Sequence, residues 1–400
     1  MTSIQVSINN FPEGGTIRIN GAAPTILPTS TPAPGTPTPT PTPTPSNYDY
    51  IITPSMGSNL NSLFSTMLKS GKKTLVKNGQ YNLSKITFPS DIVLDAESHN
   101  TIINSQETTD YLINFKSNSI IRNFKFNHNK TLCMIGQGAV SNFRIENNHF
   151  VGAQMSITVK NTNTGMPTSG YGYILNNTGY NSRLGSVQGS RNNLFSGNKF
   201  TDFTGPEYFD FNGNAHYNTF ENNEFVNGPG YYVTDEAIDM IGNNTNNILR
   251  NNKVVGCFQR ALRPSYEAND NIIEDNYFEY IPGVTANGGG IVTWNSGAIP
   301  NKIPKRNKIR NNTIISMTSG IQLKGAQDNI VTGNNISKCL RGISCELDTY
   351  KGANAISSGN VITGNNIKDV EYGLYVVDSP NNTFSPNNIT NWSKGKTFGI

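Results

Sequence analysis

An asparagine followed, two residues on, by an apolar side chain recurs down the C-terminal three quarters of the chain, in the contexts ENNHF, SGNKF, ENNEF, RNNKV, EDNYF, RNNTI, TGNNI (twice) and SPNNI. Taken at Asn148, Asn198, Asn223, Asn252, Asn276, Asn312, Asn334, Asn365 and Asn387, the steps are 50, 25, 29, 24, 36, 22, 31 and 22 residues, the first being two units. One supersecondary unit of this size cannot bury its apolar face alone. It must stack on its neighbours, so the repeat requires a solenoid.

Within each repeat two kinds of strand alternate. One is the Asn-x-apolar segment, and the other is an apolar-polar-apolar run often preceded by glycine: YFDFNG, AIDMIG, GIVTWN, GIQLKG, GISCEL and GLYVVD. Parallel strands joined by connections too short for crossover helices indicate an all-β, single-stranded, right-handed parallel β-helix. Asparagines stacked about 4.8 Å apart on successive coils would hydrogen-bond along the stack, which gives the repeated residue a structural role.

The rest of the chain divides into three parts. Residues 1–27 read as a small β-hairpin, SIQVSINN and GTIRING around a Pro-Glu-Gly-Gly turn, and two strands alone are marginal. They are expected to be an anchor completed by another protein or by a self-associated copy. Residues 28–46 form an uninterrupted Pro-Thr linker, extended because alternate prolines fix φ and remove donors. Residues 47–400 are the β-helix. Its first coil is expected to be capped by a short helix, since Leu60, Leu63, Phe64 and Leu68 share one helical face that stops at Gly71.

Composition excludes several classes. Charged residues are 14% of the chain and the net charge is +4 with no Lys/Arg block, which gives nucleic-acid binding little support. No stretch is long enough to span a membrane. Cys133, Cys257, Cys339 and Cys345 lack metal-ligand spacing and read as core residues, with a Cys339-Cys345 bridge left open. Met1 to Leu27 lacks the basic start and apolar run of a secretory leader.

If the second kind of strand stacks in register with Phe209, Ile238, Leu262, Ile291, Ile321, Ile343 and Leu374 inward, the next residue on each coil points outward. That column reads Asp210, Asp239, Arg263, Val292, Gln322, Ser344, Tyr375. Two residues on, its neighbour reads Asn212, Ile241, Ser265, Trp294, Lys324, Glu346, Val377. Asp210, Asp239 and Arg263 are the candidate catalytic residues, because carboxylates one rung apart raise a pKa or share a cation and an adjacent Arg holds an acidic sugar. Glu207, Asp235 and Glu236 enlarge the acidic cluster. Tyr208, Tyr231, Tyr232 and Trp294 are expected to offer faces to sugar rings, with Lys324 and Glu346 as further substrate contacts. His99, His128, His149 and His216 are scattered and read as structural.

The order TGPEYFDFNG, ENNEFVNG, DEAIDM, ILRNNKVVG, ALRP, IEDNYF and GGGIVTWN resembles the alginate lyase and chondroitinase B family of polysaccharide lyases over roughly residues 70–330. More loosely, the whole chain resembles the pectate-lyase-like superfamily, viral tailspikes included. The resemblance implies action on uronic-acid polymers by a Lys base and an Arg acid, with Ca²⁺ held by acidic residues. Arg263 matches the Arg and Glu236 one calcium ligand. The second ligand falls on Thr234, the base falls on Ile241, and the His-Gly that follows the Arg is replaced by Pro264-Ser265.

An isoleucine cannot take the proton α to a uronate carboxylate. Two functions are therefore carried forward. The first is a displayed spike or fibre, on a virion surface or otherwise extracellular, that recognises a polysaccharide. It would attach to a virion or particle protein through the N-terminal segment and assemble as a homotrimer. The alternative is an active depolymerase, either a uronate lyase or a glycosidase using Asp210 and Asp239.

Overall fold

The computed structural model describes residues 47–399 except 109, 129–131, 162–168, 283–287, 295–301 and 350–353. The hairpin and the Pro-Thr linker expected at 1–46 lie outside the described residues. From 50 onward the chain is wound into parallel coils of up to three short strands each. A representative coil has Thr219–Glu221 on face 1, Glu224–Val226 on face 2 and Glu236–Ile241 on face 3.

Thirteen face 1 strands form one parallel sheet, and the strands of faces 2 and 3 form a second, of 24 strands. The middle residue of each face 1 strand points inward. The column Ile121, Ile145, Ile174, Phe195, Phe220, Leu249, Ile273, Ile309, Val331, Ile362 follows in register and is fully buried. On face 2 the inward column runs Phe126, Phe150, Gly179, Phe200, Phe225. Glycine is needed at 179 because a Cβ there would lie 2.1 Å from the Phe200 ring, which fills the space. Each buried ring stabilises the stack by roughly 1.5–3 kcal/mol.

The repeated asparagines are a buried ladder. Each Nδ2 donates to the Oδ1 one coil later, from Asn148 to Asn177 at 3.1 Å, Asn177 to Asn198 at 3.0 Å and onward to Asn387. Asn177 is the unit hidden in the 50-residue step. The same Oδ1 also accepts the backbone N–H of the preceding rung, as Asn252 does from Asn223 at 3.0 Å. A second ladder, Asn193, Asn218, Asn247, Asn271, Asn307, Asn329, Asn360, Asn382, runs five residues earlier in each coil. The two ladders secure both corners of face 1.

The expected helix is present at Leu60–Met67, with the Asn59 side chain accepting from the N–H groups of Asn61 and Ser62. Leu60, Phe64 and Leu68 enter the core, and the Phe64 ring meets Phe88 edge-on at 5.6 Å. Leu63 is only partly buried. All four cysteines are buried and none forms a disulfide, which removes the Cys339-Cys345 bridge. No described helix is long and apolar enough to cross a membrane.

Candidate functional site

Face 3 carries both outward columns in the expected register. Asp210 pairs with Asp239, Asp239 with Arg263, Val292 with Gln322, Gln322 with Ser344 and Ser344 with Tyr375. The neighbouring column is continuous from Asn212 through Ile241, Ser265, Trp294, Lys324 and Glu346 to Val377. Pleating sends Phe209 and Phe211, and Ile238 and Met240, inward, so the residues between them line the outer surface.

Outward here does not mean exposed. Asp239 is 1% accessible because Arg263 on the next rung lies over it, with Nη2 at 2.7 Å from Oδ2 and Nε at 3.1 Å from Oδ1. A further Arg263 nitrogen, Nη1, is 3.1 Å from Glu236 Oε1, and Arg260 forms an ion pair with the same oxygen. Glu236 itself is 0% accessible. Burial raises its carboxyl, opposed by the charges of Arg263 and Arg260. Burial likewise raises Asp239 against the Arg263 hydrogen bonds.

On the preceding rungs Arg183, itself buried, lies 2.9 Å from Glu207 and 3.9 Å from Asp210. Asp210 Oδ2 accepts from Asn212 at 3.3 Å, and its buried Oδ1 has no hydrogen-bond partner among the described residues. Burial pushes the Asp210 carboxyl up to about 7, helped by the charge of Asp239. The Glu207 carboxyl is also raised by burial, opposed by Arg183. The result is a strip in which two adjacent carboxylate rungs are flanked on either side by guanidiniums.

Beyond the acids the surface turns basic and aromatic. The Trp294 ring has Arg260 at 4.8 Å, Arg263 at 5.8 Å and Lys324 at 5.4 Å from its centroid, a cation–π arrangement. Lys324 also reaches Asp348 at 3.6 Å. Glu346 accepts from Gln322 at 2.9 Å and from Arg341 at 3.0 Å. Next to them is an open cavity of about 480 Å³ whose lining includes Arg260, Arg341, Gln259, Gln322, Thr318 and Ser319.

Two expectations require correction. Tyr208 is no sugar platform, being 1% accessible with its ring against Phe203 and Phe225 and its hydroxyl on Asn227. It sits where the chain turns into the strand, and there two successive side chains, 208 and 209, face the core. The calcium that the resemblance implies does not fit the residues present. Glu236 already meets two guanidiniums, and no group of three acidic, His or Cys side chains converges among the described residues. Tyr231 lies elsewhere, its hydroxyl 3.2 Å from that of Tyr180.

Arg183, Arg260 and Arg341 were missed from sequence. Arg260 and Arg341 occupy a third column with Glu236, Gly289 and Ser319, readable once the register is known. Arg183 precedes its strand and carries no periodic signal.

These features define a right-handed parallel β-helix with a charged groove on face 3. Residues 265–398 match the family described as "Right handed beta helix region". Among solved structures, a PL6 family polysaccharide lyase from Pseudopedobacter saltans is 14% identical with TM-score 0.59, over 85% of this chain and 92% of that one. A PL6 alginate lyase in complex with trisaccharide is 14% identical with TM-score 0.59, over 86% of each chain. The catalytic domain of a GH87 α-1,3-glucanase is 13% identical with TM-score 0.54, over 90% of this chain and 70% of that one. The comparison with curated proteins gave no match.

Proposed function

We propose that face 3 recognises an acidic polysaccharide, and that the chain is a displayed glycan-binding protein. The observation that carries this reading is the pair Arg260 and Arg263. Both are held on the buried Glu236 carboxylate and both lie against Trp294, beside the polar cavity. Buried acids that fix guanidiniums leave a pre-organised fork for a uronate or sulfate group. An indole beside it suits the apolar face of a sugar ring.

The structural likeness to proteins named as polysaccharide lyases and a glucanase supports a carbohydrate ligand. Attachment to a virion or other particle through residues 1–27, with 28–46 as a stalk, is part of the same proposal, as is an extracellular location. It rests on the sequence of those segments.

A second reading is favoured by Asp210. A carboxyl held near 7 with a buried, unpartnered oxygen, one rung from a carboxylate clamped by arginine, is the inequivalent pair that acid-assisted glycoside hydrolysis uses. β-Elimination is disfavoured, since Ile241 occupies the place of the base.

The test is incubation with alginate, pectate, chondroitin and bacterial or algal wall polysaccharides, measuring retention, unsaturated products by ultraviolet absorbance, and reducing ends. Retention lost in Arg260→Ala, with neither product, is the expected result. Reducing ends without unsaturated products, lost in Asp210→Asn, would establish the hydrolase, and unsaturated products lost in Arg263→Ala would overturn both readings.

A further inference from the structure

Face 1 lies apart from the groove, and its outer surface has its own order. Its last eight strands carry two outer columns, and the first residue of each of these strands forms a stripe that reads, rung by rung, Tyr173, Leu194, Thr219, Ile248, Ile272, Lys308, Ile330, Val361. Tyr173, Ile330 and Val361 are exposed at 43%, 41% and 38% and the aliphatic side chains between them are half-buried, which leaves a largely apolar band on the outside of the coil. The third residue of each strand forms the adjoining column Leu175, Ser196, Glu221, Arg250, Glu274, Arg310, Thr332, Thr363. Its four charges alternate in sign and are held in line by ion pairs, Arg250 to Glu221 at 2.7 Å and Arg310 to Glu274 at 2.5 Å.

We infer that face 1 is a self-association surface, and that its partner is a second copy of this chain packed antiparallel. The argument is one of symmetry. A two-fold axis perpendicular to the solenoid, midway between the Ile248 and Ile272 rungs, inverts the order of the rungs. Ile248 then meets the partner rung of Ile272, Leu194 that of Ile330, and Tyr173 that of Val361. In the neighbouring column Arg250 meets Glu274, and Glu221 meets Arg310. The four charges of the second column each face an opposite and the three apolar pairs of the first column face each other, while Lys308 meets Thr219 and Leu175 meets Thr363.

A side-by-side arrangement with the axes parallel does the reverse. Each rung then faces its own copy, so that Arg250 meets Arg250 or the apolar stripe meets the charged column. A two-fold pair with parallel axes is therefore opposed by this face, whereas the threefold spike expected from sequence would set face 1 against a different surface of its neighbour. Like charges brought together across a desolvated contact cost several kcal/mol.

The size is adequate. Eight rungs spaced about 4.8 Å span roughly 34 Å, and the five-residue step between the two ladders spans roughly 17 Å, giving on the order of 600 Å² per copy. That is the lower end for a specific contact, so the association is expected to be reversible and concentration-dependent.

Two measurements on the whole chain test the inference. Light scattering across a concentration range should show a dimer, with dissociation favoured by at least about tenfold in Ile248→Glu, whose outward position leaves the core intact by thermal unfolding. A monomer at every concentration, or a trimer, overturns the proposal. Oxidative cross-linking then fixes the direction. A mixture of the Ile248→Cys and Ile272→Cys variants should yield the mixed dimer, the four native cysteines being buried. Efficient cross-linking of Ile248→Cys to itself alone would show parallel packing and refute the two-fold.

Discussion

Replacing Asn252 by alanine removes four hydrogen bonds from a site that is 2% accessible. Its Nδ2 donates to the Phe220 carbonyl at 2.9 Å and to Asn276 Oδ1 at 2.9 Å. Its Oδ1 accepts from the Asn223 backbone N–H and side chain, both at 3.0 Å. The Asn223 side chain keeps its bond to Phe195, so the group left stranded is the Asn223 backbone N–H. A buried orphan donor costs about 1–3 kcal/mol and each of the other three bonds lost about 1 kcal/mol, so Asn252→Ala should cost about 4–6 kcal/mol.

Asn335→Ala is the control, because Asn335 sits on an exposed outer row and only accepts from Asn366 at 3.4 Å. It should stay within about 0.5 kcal/mol. Denaturant melts give the two midpoints, and hydrogen exchange at the Asn223 amide reports the rung directly, since a solenoid can open locally. Equal midpoint shifts in the two variants, with unchanged exchange at Asn223, would refute the assignment of the ladder as a stabilising device.

Three further outcomes follow from the geometry. The raised Asp210 carboxyl binds its proton in the folded chain up to about pH 7 and only to its ordinary 3.8 when unfolded, so its contribution to stability is lost as pH rises across that window. Asp210→Asn should therefore be stabilising at about pH 8, by up to about 4 kcal/mol, and near neutral below about pH 4, as read from melting at both pH values. Arg263→Met strands the buried Asp239 and should cost about 3–5 kcal/mol at neutral pH by denaturant melts, less in acid where the carboxyl takes a proton. Gly342→Ala would put a Cβ 2.5 Å from the Gly373 carbonyl oxygen and from Ile367, and should cost more than about 2 kcal/mol in thermal unfolding.

The coil was legible because its two signals are periodic. The asparagine repeat marks the rungs, and alternation within the glycine-led strands placed Asp210, Asp239, Arg263, Trp294, Lys324 and Glu346 in columns that the structure reproduces. The second ladder was equally present, as Asn-x₄-Asn, and fits the same Asn-x-apolar key, with Phe195, Phe220 and Leu249 following Asn193, Asn218 and Asn247, but is hidden when only one asparagine per coil is followed. What alternation cannot supply is cover. It gives Asp239 an outward direction, while the burial comes from arginines on other rungs whose reach depends on three-dimensional placement. Tyr208 failed for the related reason that a corner suspends alternation.

The spacing of five between paired asparagines holds from Asn193/Asn198 to Asn382/Asn387, while the length of a coil varies from 21 to 36 residues. All of that variation falls outside the segment that joins the two ladders, in the chain that borders face 3. The molecule thus separates what must be copied from what is free to change. A loop beside face 3 can lengthen without disturbing either ladder, and a duplicated turn of the coil would rejoin both ladders by the same kind of bonds, so the margins of this scaffold are open to change where its rungs are not.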